Sequence, residues 1–136
     1  MPFGCSITVI AVESLLVITI GQSPREDIQN ELRQILGTRP IEVLGALDGL
    51  SENEVAELTP EAPSDTFHTR LSNGTEVVVS KEAVTARLVG LLSESKNRPV
   101  LVACTGQFEG LPHYPNVLFP SAILGLLVEA VAPAAS

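Results

Sequence analysis

The chain has 136 residues, which suits one domain, and its 45% hydrophobic and 18% charged residues favour a buried core over disorder. Its net charge of −8 argues against a nucleic-acid surface and against docking on anionic lipid, because both need clustered lysine and arginine. Two cysteines are too few for a disulfide framework and favour a cytoplasmic protein, while the apolar run at 7–20 is too short to span a bilayer.

The first predicted elements are a strand and a helix. Residues 1–14 are a leader to which the sequence assigns no role, and one domain is predicted over 15–136. Residues 15–20 are apolar and β-branched, which indicates a strand buried on both faces of a parallel sheet. Ser23 predicts an N-cap, completed by Glu26 as a capping box, for a helix that Gly37 ends in the left-handed conformation.

A hairpin is predicted in the middle of the chain. A short strand at 41–47 precedes it, and a capping box from Ser51 to Glu54 opens a brief acidic helix. Segments 66–71 and 76–79 flank Asn73-Gly74, the dipeptide typical of a type I′ turn between antiparallel strands.

The last predicted elements complete an α/β pattern. Ser80 caps a helix, 100–104 forms a second apolar strand, a proline-containing loop follows, and apolar residues between 123 and 131 predict a final helix. The predicted fold is α/β and three-layer, with a mostly parallel, flavodoxin-like sheet and one antiparallel hairpin.

Ligands of such sheets bind outside the carboxyl ends of the strands, where this sequence places two polar turns. In the turn from Gly21 to Arg25, the backbone N–H groups of a helix start favour an anion, and Arg25 could clamp a carboxylate or phosphate. The structural alternative is that Ser23 only caps the helix and Arg25 is solvated. The predicted substrate-binding residues of this turn are Gly21, Gln22, Ser23 and Arg25.

The second turn follows the strand at 100–104 and carries Cys104. A thiolate there could move a proton to and from a carbon next to a carboxylate, and Thr105 with the Gly106 N–H could hold an oxyanion. The alternative is that Cys104 is an ordinary buried small side chain. His68 and His113 have no partner at metal-ligand spacing, so no metal site is predicted and both histidines are expected at an edge or in solvent.

Several motifs in fixed order resemble the AroM-like family over about 15–131. Among them are Gly21-Gln22-Ser23-Pro24-Arg25 and Cys104-Thr105-Gly106-Gln107-Phe108. Further matches are Gly45-Ala46-Leu47-Asp48-Gly49-Leu50, Thr69-Arg70-Leu71, Asn73-Gly74-Thr75, Pro120 and Ile123-Leu124.

The resemblance implies the fold of the aspartate/glutamate racemase superfamily and cofactor-independent chemistry by two opposed cysteines. It implies that Cys104 is the cysteine of the first half, that the turn from Gly21 to Arg25 holds a substrate carboxylate, and that Thr105 and Gly106 line the site. Two departures are expected to matter. The chain stops where the second half would begin, and Thr105-Gly106 replaces the Asn-Thr pair common after the superfamily cysteine.

Three hypotheses for function follow. The first is a racemase or isomerase acting on a small carboxylate or amino acid, with Cys104 as acid and base. The second is a module that binds a small carboxylate without chemistry. The third is a truncated, self-associating domain, since the last helix would expose an apolar face; a homo-oligomer is therefore expected.

Overall fold

The computed structural model describes residues 14–104 and 106–120. Strand β1 spans Leu15–Thr19, helix α1 Glu26–Leu36, strand β2 Ile41–Gly45 and helix α2 Glu52–Ala56. A 3-10 turn at Pro63–Asp65 leads into β3, Thr66–Arg70, and β4, Glu76–Ser80. Helix α3 is Lys81–Ser95, and strands β5, Val100–Val102, and β6, Val117–Leu118, follow. The predicted final helix and nearly all of the predicted leader lie outside the described residues.

The main sheet is parallel and has the order β2-β1-β5-β6. Strand β1 lies between two partners and is buried from Leu16 to Thr19, as expected of a central strand whose side chains are covered on both faces. The hairpin β3–β4 forms a separate antiparallel pair with Thr66 opposite Ser80. The α/β class, the mostly parallel sheet and the antiparallel hairpin are thus confirmed.

Two apolar clusters hold these parts together. The sheet core joins β1 and β5 to α3 and consists of Leu16, Ile18, Leu88, Leu92, Val100 and Val102. The hairpin core joins the hairpin to the ends of β1 and β2 and consists of Ile20, Ala46, Leu47, Val55, Phe67, Leu71, Val79 and Val84. Helix α3 contributes to both clusters, so it fixes the hairpin relative to the sheet.

Several predicted end signals are confirmed. Ser51 and Glu54 form both hydrogen bonds of the capping box at α2, and the Ser80 hydroxyl accepts from the Ala83 N–H at the start of α3. Gly37 ends α1 with φ 66° as expected, but its ψ of −123° lies outside the left-handed helical region that the sequence predicted. None of the helices in the described part of the chain is long and apolar enough to cross a membrane.

The hairpin turn differs from the predicted type I′. Such a turn needs positive φ at both central residues, yet of Asn73 and Gly74 only Gly74 has it. The Gly74 N–H donates to the Leu71 carbonyl and the Leu71 N–H donates to the Thr75 carbonyl. This pattern is a tight turn closed by a left-handed glycine, which spares Asn73 the steric cost of positive φ.

Strand β6 was not predicted, because the prolines near it favour a loop. Val117 and Leu118 nevertheless pair with Val100 and Leu101 and extend the sheet by one short parallel strand. Two residues are too few to show a periodic pattern in the sequence.

Candidate functional site

A cavity of about 730 Å³ lies where β1 and β5 end and faces the hairpin. Thr19 and Ile20 line it from the end of β1, and Ala103 and Cys104 line it from the end of β5. Arg25, just before α1, reaches the same cavity. The carboxyl ends of neighbouring parallel strands therefore bring together the thiol and the guanidinium that the sequence placed in two separate turns.

Cys104 lies on the wall of this cavity, two residues beyond β5. The Ala103 N–H donates to the Ile18 carbonyl, which continues the β1–β5 pairing and fixes the backbone at Cys104. The side chain is half-buried and packs against both the sheet core and the hairpin core. Cys104 thus both lines the cavity and packs against the two cores, and its predicted role in proton transfer stays a prediction.

Gly106 places its backbone N–H against the sulfur of Cys104. Its backbone N–H donates to Cys104 Sγ at 3.3 Å, and a hydrogen bond of this kind stabilises negative charge on sulfur. A Cβ at position 106 would lie 2.7 Å from Cε1 of Phe67, so only glycine fits between the aromatic ring and the thiol. The predicted oxyanion donor therefore contacts the sulfur itself.

Arg25 is held by a neighbouring carboxylate. Its Nε and Nη2 donate to the two Asp27 oxygens at 3.0 and 2.7 Å. The hydrogen bond with Asp27 raises the pKa of Arg25, and the same bond lowers the pKa of Asp27 to about 2. The guanidinium has five donors, and two of them bind Asp27.

Gln22 is engaged inside the protein. It is 8% exposed, and its Nε2 donates to the Leu47 carbonyl at 3.1 Å and to the Leu50 carbonyl at 2.9 Å. Its Oε1 accepts from the Ser72 N–H at 2.9 Å. One side chain thus ties together the end of β1, the loop before α2 and the hairpin turn, and its predicted ligand binding stays a prediction.

Ser23 is engaged in the same way, through Asp48. The Ser23 hydroxyl donates to Asp48 Oδ2 at 2.7 Å and the Ser23 N–H donates to Oδ1 at 2.8 Å. Helix α1 begins at Glu26, with Arg25 as its N-cap and no side-chain cap. The predicted cap at Ser23 is therefore wrong, because a carboxylate 25 residues along the chain binds the hydroxyl.

Gly21 allows the hairpin to approach the sheet. A Cβ at this position would overlap the Arg70 carbonyl oxygen and Thr69 Oγ1. The next residue, Gln22, donates its N–H to the same Arg70 carbonyl. Neither Gly21, Gln22, Ser23 nor Gly106 lines the cavity in the described part of the structure, and Thr105 lies outside the described residues.

The sequence analysis did not predict that the hairpin forms one wall of the cavity. His68, Arg70, Glu76 and Val78 line the cavity, and they form two cross-strand pairs, His68 with Val78 and Arg70 with Glu76. The signal was present in the alternation of the strands: Phe67 and Val79 are buried, so their neighbours point to the opposite face. Val78 is 48% exposed, an apolar side chain left uncovered on that face.

The cavity carries both signs of charge. Arg70 Nη2 lies 3.7 Å from Glu76 Oε1, an exposed ion pair that is too long for a hydrogen bond. Two guanidiniums and the Glu76 carboxylate thus line one cavity. Among the described residues, no group of three histidine, cysteine or acidic side chains is arranged to hold a metal ion.

Comparisons with known proteins give one match. A family model described as AroM protein matches residues 15–136. No curated protein and no solved structure matches the chain significantly.

Proposed function

This chain belongs to the AroM protein family, and we propose that it is a cofactor-independent isomerase or racemase that acts on a small carboxylate or amino acid. The proposal is carried by one observation: Cys104, with the Gly106 N–H on its sulfur, lines the same cavity as Arg25. A carbon acid next to a carboxylate needs a base for its proton and a cation for the charge that develops. Cys104 and Arg25 supply these two groups.

In the proposed reaction, the substrate carboxylate binds the remaining donors of Arg25 and presents its α-carbon to Cys104. The thiolate removes the α-proton and becomes a thiol, and the electron pair of the broken C–H bond delocalises into the carboxylate. Arg25 stabilises this added charge, and Arg70 adds a second positive group on the hairpin side. Return of a proton to the α-carbon completes the reaction without an oxidant or a cofactor.

The test is exchange of α-protons with deuterated solvent across a panel of small carboxylic and amino acids. We expect exchange with at least one acid, and a loss of about 100-fold or more in Cys104→Ser, which is the usual range for removing a general base. Cys5→Ser, at the chain's other cysteine, is the matched control and should exchange like the wild type. Absence of exchange across the panel, or full exchange in Cys104→Ser, would contradict the proposal.

A second candidate is capture of a small carboxylate without chemistry. This candidate is favoured by Arg25 and Arg70, because two guanidiniums can bind a carboxylate without any proton transfer. In that case Arg25→Gln should abolish the thermal stabilisation that the acid produces, Cys104→Ser should retain it, and no variant should exchange. Arg33→Gln, in the last turn of α1, is the control.

We also propose that the protein is a cytoplasmic homo-oligomer that uses no nucleic acid or membrane as partner. A free thiol as the reacting group suits a reducing compartment. Helix α1 buries none of its side chains and leaves Ile35 78% exposed, which favours pairing with a second copy. Light scattering should give a mass above 14.4 kDa for the wild type, and Ile35→Lys should reduce it. A monomeric wild type at high concentration would contradict the assembly.

A further inference from the structure

We propose that His68 is the second proton carrier of the site, which delivers to the α-carbon the proton that replaces the one removed by Cys104. The inference rests on the proposed function. It assigns the opposing acid to the hairpin of this chain itself. The sequence alone had placed His68 at an edge or in solvent.

Cys104 and His68 reach one cavity from two different elements. Cys104 follows β5 in the main sheet, and His68 lies in the middle of β3 in the separate hairpin. The other charged groups that face this cavity are Arg25, Arg70 and Glu76. Arginine does not release a proton near neutral pH and Glu76 is a carboxylate beside Arg70. Among the described lining residues, the Cys104 thiol and the His68 imidazole are the groups whose chemistry lets them both accept and donate a proton in general acid–base catalysis.

The imidazole of His68 has no structural task in the hairpin. Its neighbour Phe67 carries the packing of β3, while His68 is exposed and lies opposite Val78. Its ring makes no hydrogen bond to the described part of the chain, and the side chain lines the cavity. A side chain that packs in β3 points into the hairpin core, as Phe67 does. His68 points to the opposite face of the strand and lines the cavity.

The proton balance closes with these two groups. The reaction starts with the Cys104 thiolate and the His68 imidazolium. Cys104 gains the α-proton and His68 gives its proton to the carbanion from another direction, which leaves a thiol and a neutral imidazole. For the opposite enantiomer the roles reverse, and proton exchange with water resets the pair.

The first experiment needs no substrate. In a Cys5→Ser background only Cys104 reacts with iodoacetamide, and its alkylation rate is followed from pH 5 to 9. An imidazolium stabilises a nearby thiolate, and an imidazole gains its charge as the pH falls. The alkylation rate of the protein that keeps His68, divided by the rate of His68→Gln, should therefore be roughly threefold larger at pH 5 than at pH 9. His113→Gln is the matched control, because His113 lies in a different, 510 Å³ cleft. Identical profiles with and without His68→Gln would overturn the proposal.

The second experiment uses solvent exchange with the two enantiomers of an acid that the wild type exchanges. Cys104→Ser should lose exchange of one enantiomer at least about tenfold more than exchange of the other. His68→Gln should show the opposite preference between the two enantiomers. Full exchange of both enantiomers in His68→Gln overturns the role of His68 and leaves the proposed function standing. A wild type that exchanges no acid of the panel overturns the proposed function and the catalytic role of His68 together. The alkylation profile still reports whether the charge of His68 changes the reactivity of the Cys104 thiol.

Discussion

Replacing Gln22 by alanine tests whether this side chain supports the site from inside the protein. The substitution removes three hydrogen bonds, two to the carbonyls of Leu47 and Leu50 and one from the Ser72 N–H. Each is a neutral bond in a largely buried place and contributes about 1 kcal/mol, so the free energy of unfolding should fall by about 3 kcal/mol. For a chain of this length the melting temperature should fall by about 10 °C.

The assay is urea unfolding at 25 °C, with Gln34→Ala as the control on the exposed surface of α1. The control should stay within about 0.5 kcal/mol of the wild type. A loss in Gln22→Ala no larger than that of Gln34→Ala would refute the reasoning from these contacts. Ligand binding, measured well below the melting temperature, then separates the structural role of Gln22 from its predicted contact with substrate. A purely structural residue would change stability and leave affinity intact.

Three further outcomes follow from local geometry. Gly21→Ala should destabilise the protein by more than about 2 kcal/mol, because its Cβ would overlap hairpin backbone, whereas Gly90→Ala has open space in a helix and should stabilise by about 0.5–1 kcal/mol; thermal melts compare them. Asp27 has its pKa lowered to about 2 by Arg25, so the pair stabilises the fold above pH 4 and is lost as pH falls toward 2. It is an exposed pair, so Asp27→Asn should cost at most about 1 kcal/mol at pH 7, and this cost should shrink as the pH falls from 4 toward 2 in acid titrations of stability. Ser51→Ala should cost about 1 kcal/mol in urea unfolding through loss of the α2 cap, and an unchanged midpoint would contradict the capping box.

Signals that act within a few residues were read correctly from the sequence. The apolar run of β1 and the Ser51 capping box need only their own neighbours, and both are found as predicted. Ser23 shows the limit of such reasoning. The residues around Ser23 have the pattern of a helix N-cap. In the folded chain, however, Asp48 lies against Ser23 and accepts hydrogen bonds from its hydroxyl and its N–H. No spacing rule reports a partner 25 residues away.

The candidate site likewise contains residues that the sequence could predict and residues that it could not. Cys104 and Arg25 could be predicted to meet because strand ends of a parallel sheet share an edge. The contribution of His68 and Arg70 could not, since it depends on where α3 places the hairpin over that edge. The alternation within β3 does indicate which side chains point outward, but it does not say what they face.

The hairpin carries its packing residues and its cavity-lining residues on different positions. Its inward residues, Phe67 and Val79, and its backbone contacts with the end of β1 hold it in place. Its four cavity-lining outward side chains, at 68, 70, 76 and 78, lie outside both cores. Mutations at these four positions can therefore accumulate at little thermodynamic penalty. Under the proposed function, substitutions at 70, 76 and 78 would change which substrate is preferred, while the fold and the proton carrier His68 stay constant.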